Sequence, residues 1–339
     1  MEHIDKLATK LVKYEEYYNK LKDQSSEFKN YRDLWKKASN FEVETRFPIQ
    51  IELELSNACN YRCGFCPYAF KKEDMPKGFD LPKNEKIMDF NLIKRVIDEG
   101  SKNGLMALEL GYNTEPLIYK KLYEVISYAR QKSILDIRMS SNGHNLNGEV
   151  AKKLIEAGLT HLNVSIDAFS EETYKKVRSS IFYKEVVQNV LRFIKIRDNM
   201  SLKLPSVRVS FVETSENSHE VSDFVKFWEK EVDLIAVQSL VSYSNTPDHL
   251  KKKIKKNQDI VYNCHQPWTR VAIKSNGDIK PCCSINGMEF KSINVKNISV
   301  LKYWNSTPTK NLRKNLKSNN GHKNSICKNC IESIDEKNN

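Results

Sequence analysis

Apolar runs and helical patterns alternate along the first two thirds of the chain. The runs are QIELELS (50–56), LMALEL (105–110), LDIRMSS (135–141), HLNVSI (161–166), VRVSFVE (207–213) and LIAVQSL (234–240). Between them lie stretches such as DFNLIKRVIDEGSKNG, PLIYKKLYEVISYARQK, GEVAKKLIEAG and FYKEVVQNVLRFIKIRDN. Short apolar or alternating runs predict strands, and apolar residues three and four apart predict amphipathic helices. Six strand–helix units in succession predict an α/β fold with a parallel sheet and right-handed crossovers. Six are too few for an eight-unit barrel, which leaves an open or partial barrel or a doubly wound sheet; either binds ligands at the C-terminal ends of its strands.

The flanks differ. Over residues 1–45, Ile4, Leu7, Leu11, Tyr14 and Tyr18 recur at helical spacing, which predicts a helical extension packed on the domain after it. Residues 46–250 hold the strand–helix units. DHLKKKIKKNQD reads as a charged linker or helix, and residues 251–339 become rich in Gly, Asn and Ser and carry five of the eight cysteines. That composition predicts a small domain stabilised by a metal.

Hydrophobic residues make up 40% of the 339, enough for a sizeable core. No run of 18 apolar residues occurs and the first residues lack an apolar signal region, so the expectation is a cytoplasmic protein without a membrane span. There thiols stay reduced, and clustered cysteines read as metal or redox ligands. The formal charge of +12 reads as a lysine-rich solvated surface, and no arginine-rich or aromatic-interleaved tract points to nucleic acid.

Cys59, Cys63 and Cys66 fall within SNACNYRCGFCPYAF, directly after the first predicted strand. Three thiolates can hold three irons of a cubane and leave the fourth open for chemistry; a zinc site completed elsewhere in the chain is the plainer reading. CNYRCGFC resembles the signature of the radical S-adenosylmethionine (radical SAM) enzymes, over roughly residues 48–245. That resemblance implies a partial (β/α)6 barrel, SAM chelating the open iron, reductive cleavage of SAM and hydrogen-atom abstraction from a substrate. It implies an electron donor such as flavodoxin or ferredoxin. It also implies that Phe65 lies beside the adenine and that Glu115, in NTEP where the family has a Gly-Gly-Glu-Pro-like segment, accepts from the methionyl ammonium. Asn142, Ser165 and Asp167 match ribose and carboxylate contacts, and Arg178 matches an arginine that meets the SAM carboxylate. For Ser, Asn, Asp and Glu at such positions helix capping is the plainer role.

Among the later cysteines, Asn276-Gly277 signals a tight hairpin turn that brings Cys282 back towards Cys264. Cys327 and Cys330 form a C-x2-C, and the four thiols make a closed site, for zinc or for iron–sulfur. This segment, with Trp268 and the later YWNS, resembles the SPASM/twitch extensions of radical SAM enzymes, which implies one auxiliary [4Fe–4S] cluster on Cys264, Cys282, Cys327 and Cys330. Cys283 is left over, or replaces Cys282. The resemblance further implies a small-molecule substrate, with oxidation of a sugar or aminocyclitol-like alcohol. The alternatives are a peptide-modifying enzyme, an epimerase or isomerase, or a non-catalytic metal scaffold. Residues 1–45 are too short and too helical for a winged-helix peptide-recognition domain. No catalytic acid or base can be singled out.

Overall fold

The computed structural model describes residues 8–22, 25–70, 87–240 and 263–332. The charged stretch 248–259, with Ile4 and Leu7, lies outside them. The strands are β1 (Ala8–Val12), β2 (Gln50–Leu53), β3 (Ala107–Leu110), β4 (Asp136–Ser141), β5 (His161–Ser165), β6 (Ser206–Glu213), β7 (Leu234–Ser239), β8 (Arg270–Ile273), β9 (Asp278–Lys280) and β10 (Ile293–Asn294). They form one sheet in the order β1-β7-β6-β5-β4-β3-β2-β8-β9-β10. From β2 to β7 every neighbour is parallel, and each strand is followed by helix before the next. This is the partial (β/α)6 arrangement. It stays open, because β1 pairs antiparallel with β7 and β8 pairs parallel with β2.

The N-terminal segment is not helical throughout. Ala8–Val12 is a strand, with Val12 opposite Ile235 and Leu11 opposite Ala236. The outer edge of β7 needs partners for its N–H and C=O groups, and supplying them outweighs a local 3.6-residue period. Lys13, at φ 65, turns the chain into the helices Tyr14–Lys22 and Ser26–Ser39.

Alternation along the parallel strands sorts side chains to two faces. Ile51, Leu53, Leu108, Leu110, Ile137, Met139, Leu162, Val164, Val207 and Val209 are buried in one large core. The intervening positions are polar: Gln50, Glu52, Glu109, Arg138, Ser140, Asn163, Ser165, Arg208 and Ser210 line the concave face, the lumen of the partial barrel. The N-terminal helices close its lower end, where Tyr17, Tyr31 and Trp35 pack with Ile49, Ala107 and Leu234. Asp136 ties that plug to the sheet. It accepts from Tyr31 Oη (2.9 Å) and Thr160 Oγ1 (2.7 Å), and meets His161 Nδ1 at 2.8 Å and Arg138 at 3.6 Å.

The C-terminal segment continues the sheet. β8 and β9 form a hairpin whose loop closes through Gly277 (φ 93), with Lys274 N–H donating to Asp278 O at 2.8 Å. Buried Arg313 grips Glu44 through two bonds (3.0 and 2.7 Å) and lies 4.3 Å over the Trp304 ring. Glu99 caps the helix Val300–Trp304 by accepting from the N–H groups of Val300 and Leu301. Among the described residues, no helix is long and apolar enough to cross a membrane.

Asp136→Ala strips the plug of its shared acceptor and leaves buried donors unpaired. The expected loss is about 3 kcal/mol or more of unfolding free energy, read by denaturant titration with tryptophan fluorescence; a loss near zero would show that the apolar plug holds alone.

Candidate metal centres and cofactor site

The three-cysteine loop leaves β2 at the C-terminal end of the sheet and is moored on several sides. Thr114 Oγ1 donates to Ser56 O (2.7 Å), Asn142 Nδ2 donates to Asn60 Oδ1 (2.7 Å), and Gly64 N–H donates to Val177 O (3.1 Å). Arg62 clamps the loop on itself through Cys59 O and Tyr61 O (2.6 and 2.8 Å). The Tyr61 N–H points at Cys59 Sγ (3.5 Å), and the Cys66 N–H closes a turn on Cys63 O (2.9 Å). Cys63 is buried, and Cys59 and Cys66 are half-buried. Burial pushes the thiols of Cys59 and Cys63 up, with Arg178 pulling both down. One buried and two half-buried thiols with an amide aimed at sulfur suit a cluster, since metal ligation offsets the cost of holding thiolates there. Phe65 is half-buried and packs on the main core.

The carried-over residues form two groups. In the first, Asn113 adopts φ 60, the left-handed conformation that a glycine would supply, and asparagine tolerates it better than most residues. Gly111 does need to be glycine: its φ is 107 and an added Cβ would lie 2.5 Å from Ser140 O. Glu115 sits buried where β3 meets β4, accepting from Leu117 N–H (3.0 Å), Ser141 Oγ (2.8 Å) and Asn142 N–H (2.8 Å). Burial pushes its carboxyl up, against these donors. Glu115, Asn142 and Asn60 thus make one network reaching the cysteine loop.

The second group is an ion pair. Asp167, fully buried at φ 62, accepts from Arg178 (2.8 Å) and from Val212 N–H (2.7 Å). Arg178 lies 5.6 Å from the Tyr61 ring centre. Burial works to lower the Arg178 pKa, but Cys63 and then Asp167 hold it up. Its Nε has no partner among the described residues. Asp167 therefore holds Arg178 beside the cysteine loop, with both of its own oxygens engaged. Ser165 stands apart, 3.3 Å from Ser210 across β5 and β6.

The second cysteine group draws on three separate pieces of chain. Cys264 precedes the helix Gln266–Thr269, Cys282 follows β9, and Cys327 and Cys330 lie one turn apart on Ser325–Glu332. Burial pushes the Cys282 thiol well up, and Cys283, Cys330 and Cys264 add to it as neighbouring sulfurs. Cys327 is pushed up to about 12, by burial and then by Cys264 and Cys330. Cys330 Sγ lies 3.2 Å from Ser284 Oγ. Gly287 makes room for this site, because a Cβ there would lie 2.5 Å from Cys282 Sγ. Beside Cys282, the Cys283 thiol donates to Gln266 Oε1 (2.8 Å), and Cys283 packs on Tyr112, Ala272 and Met288. Trp268 is buried and donates from Nε1 to Arg313 O (3.1 Å).

The sequence motifs do not reveal the lumen. Glu52 accepts from Arg270 NH1 (2.6 Å) and Gln50 Nε2 (3.1 Å). Glu109 accepts from Ser140 Oγ (2.8 Å) and meets Arg138 Nε at 3.4 Å. Burial pushes the Glu109 carboxyl up; Arg138 opposes this and Glu52 adds to it. The Nε of Arg270 and the Oδ1 of Asn163 have no partner among the described residues. The signal was present as polar residues at every second position of otherwise apolar strands.

Comparisons with known proteins agree with this arrangement. The radical SAM superfamily profile matches residues 53–227, and an iron–sulfur cluster-binding domain profile matches residues 264–331. The chain is 25% identical over 201 residues to a probable GTP 3',8-cyclase of Methanocaldococcus jannaschii, covering 59% of this chain and 61% of that protein. It is 29% identical over 177 residues to a probable GTP 3',8-cyclase of Saccharolobus islandicus (strain M.14.25 / Kamchatka #1), covering 52% of this chain and 51% of that one. It thus spans about half to three fifths of these curated relatives. The crystal structure of BtrN in complex with AdoMet and 2-DOIA is similar at TM-score 0.54 and 18% identity, over 84% of this chain and 94% of that one. Streptococcus suis SuiB bound to S-adenosylmethionine is similar at TM-score 0.58 and 15% identity, over 91% of this chain and 76% of that one. At these identities the two structures share the fold.

Gly287→Ala should press on the Cys282 sulfur and cut the metal bound by the second cysteine group, leaving the first group loaded. Iron and sulfide analysis after anoxic reconstitution measures this, and undiminished metal would show that the sulfur moves aside freely.

Proposed function

The chain belongs to the radical SAM superfamily, and from that premise we propose that it takes a hydrogen atom from a small polar substrate in the charged lumen and oxidises one of its alcohol carbons. A sugar or aminocyclitol-like molecule fits. The cofactors are SAM, a SAM-binding [4Fe–4S] cluster and an auxiliary [4Fe–4S] cluster. We assign Cys59, Cys63 and Cys66 to the first cluster and Cys264, Cys282, Cys327 and Cys330 to the second. Cys283 is left out because Gln266 engages its thiol.

The observation that carries the reading is the lumen, where Glu52 with Arg270 and Glu109 with Arg138 stand as paired charges inside the sheet. A substrate rich in hydroxyl or amino groups can bond Arg270 Nε and Asn163 Oδ1, which lack partners among the described residues, whereas an apolar one would leave them unsatisfied.

Bound here, the cofactors supply a hydrogen-atom abstractor from SAM and, in the auxiliary cluster, an acceptor for the substrate's second electron. The chain's residues position and deprotonate. Glu115 would receive the methionyl ammonium, Arg178, held by Asp167, would meet the carboxylate, Asn142 and Ser165 would face the ribose, and Phe65 would lie beside the adenine. Glu109, whose carboxyl burial pushes up against Arg138, takes the hydroxyl proton at Oε2. Loss of one hydrogen atom, one proton and one electron from the carbinol completes a two-electron oxidation. A flavodoxin- or ferredoxin-type donor supplies the electron that cleaves SAM.

Sequence likeness to probable GTP 3',8-cyclases favours a second reading, cyclisation of a nucleotide. Polyols and aminocyclitols deuterated at each carbinol carbon separate the two. Deuterium in 5′-deoxyadenosine together with a ketone supports alcohol oxidation. Deuterium transfer from labelled GTP instead, with none from any alcohol, would sink it.

Two variant series test the assignments. Anoxic protein should hold about eight irons per chain, Cys282→Ala about four, and Cys283→Ala still about eight; Cys63→Ala should lose SAM cleavage altogether. Glu109→Gln should still cleave SAM but form product roughly 10²- to 10⁴-fold more slowly, and an unchanged product rate would remove Glu109 from the mechanism.

A further inference from the structure

A cavity of about 650 Å³ opens where three remote parts of the chain meet, and neither a cysteine nor a residue of the lumen lines it. Its walls come from the connector Glu44–Arg46, from Trp268, and from Asn305 with the helix Thr307–Lys317. The connector is fixed at every residue: Glu44 accepts from Arg313 (2.7 Å), Thr45 O from Trp304 Nε1 (2.8 Å) and Arg46 O from Asn305 Nδ2 (2.9 Å). Trp268 donates from its own Nε1 to Arg313 O at 3.1 Å. Small-molecule sites enclose roughly 300–1,000 Å³, and walls already moored need no ordering when a ligand arrives.

The charge on those walls is one-sided. Arg46, Lys310, Lys314 and Lys317 all line the cavity. The three lysines recur at i, i+4 and i+7 on one face of their helix, while Leu312, Arg313 and Leu316 are buried. That helix, TPTKNLRKNLK, holds no acidic residue. On the helix Gly148–Ala157, by contrast, Lys153 pairs with Glu149 (2.6 Å) and Lys152 with Glu156 (3.7 Å). Among the described residues no carboxylate pairs with any of the four cations at the cavity. The carboxylate that does line it, Glu44, is spent on Arg313, which donates to one of its oxygens from Nε and Nη2. Lys317 Nζ lies 5.6 Å from the centre of the Trp268 ring, which holds that ammonium at the wall. Like charges gathered on one helix face repel, and an anion between them removes that cost.

We propose that this cavity binds a phosphate chain, either inorganic oligophosphate or the triphosphate of a nucleotide. Ammonium groups are point charges that can meet phosphate oxygens from several directions, and a guanidinium such as that of Arg46 can grip one phosphate through two parallel bonds. A triphosphate brings several negative charges on a short chain and answers all four cations, which a lone carboxylate does not. Bound there, it ties the connector that leads from the N-terminal helices into β2 to the C-terminal segment. The site uses none of the residues assigned to SAM, to the clusters or to the substrate, so it stands whether or not the reaction is alcohol oxidation.

The test is isothermal titration calorimetry on the iron-loaded full chain, under anoxic conditions with SAM present and at physiological salt, where exposed charges act over about 8 Å. Tripolyphosphate and UTP, which lacks the adenine of SAM, are the probes. Tripolyphosphate should bind at one site per chain, and Lys310→Gln combined with Lys314→Gln should weaken it roughly tenfold or more. Lys226→Gln, at an exposed position of the helix Val221–Trp228, should leave binding unchanged. UTP bound more tightly than tripolyphosphate, and lost in the same double variant, identifies a nucleotide as the ligand; tighter tripolyphosphate identifies the free chain. SAM cleavage by the double variant, expected at the wild-type rate, shows that the protein is folded. No saturable binding of either probe overturns the proposal. So does binding undiminished in the double variant, or an equal loss in Lys226→Gln, which would make the attraction one of general surface charge.

Discussion

The pairing of β8 with β2 is the constraint on which the rest of this structure depends. Four registered pairs, from Gln50 with Arg270 to Leu53 with Ile273, turn the first strand of the barrel into an interior strand. The consequence is chemical as well as architectural. The strand that launches the three-cysteine loop is flanked by the strand that follows Cys264, so the loop and Cys264 are attached to neighbouring strands of one sheet. The same register sets Arg270 against Glu52 and brings Ala272 under Tyr112. A sheet transmits this geometry because slipping by one residue would turn every side chain to the wrong face.

Charge is the second organising element. Parallel strands covered by helices are ordinarily apolar on both faces; here one face carries carboxylates and guanidinium groups. Such groups are tolerated inside a fold only when paired and hydrogen-bonded, and the pairs divide the interior by height. Asp136, with Tyr31 and Thr160, seals the lower end. Glu109 with Arg138, and Glu52 with Arg270, occupy the middle. Asp167 with Arg178 and the Glu115 network stand at the top, beside the cysteine loop. Roles assigned singly from motifs become joint ones: Asp167 works through Arg178, and Asn142 works on the loop through Asn60.

Much of the fold was legible because parallel β–α units repeat a local pattern. Each of the six apolar runs coincides with a strand of the sheet, to within three residues at either end. Within the NTEP segment, Asn113 adopts the left-handed conformation that a glycine would take freely. The Ala8–Val12 strand was not legible, because what makes it a strand is the unpaired edge of β7, far along the chain. The lumen went unread for a different reason. Period-two polarity marks one wet face, but not whether that face meets solvent or closes on itself.

What the sequence determined by itself is therefore local: strand and helix periods, a three-thiol loop at a strand end, a hairpin turn at Asn276-Gly277, and a C-x2-C spacing at Cys327 and Cys330. These follow from covalent spacing and backbone preference. The tertiary structure decided which distant groups meet: β8 on β2, Arg178 on Asp167, Cys283 on Gln266, and Tyr112 on Ala272 and Met288. These depend on register and on burial, where the pairing of a charge or a polar hydrogen is settled by neighbours remote in sequence.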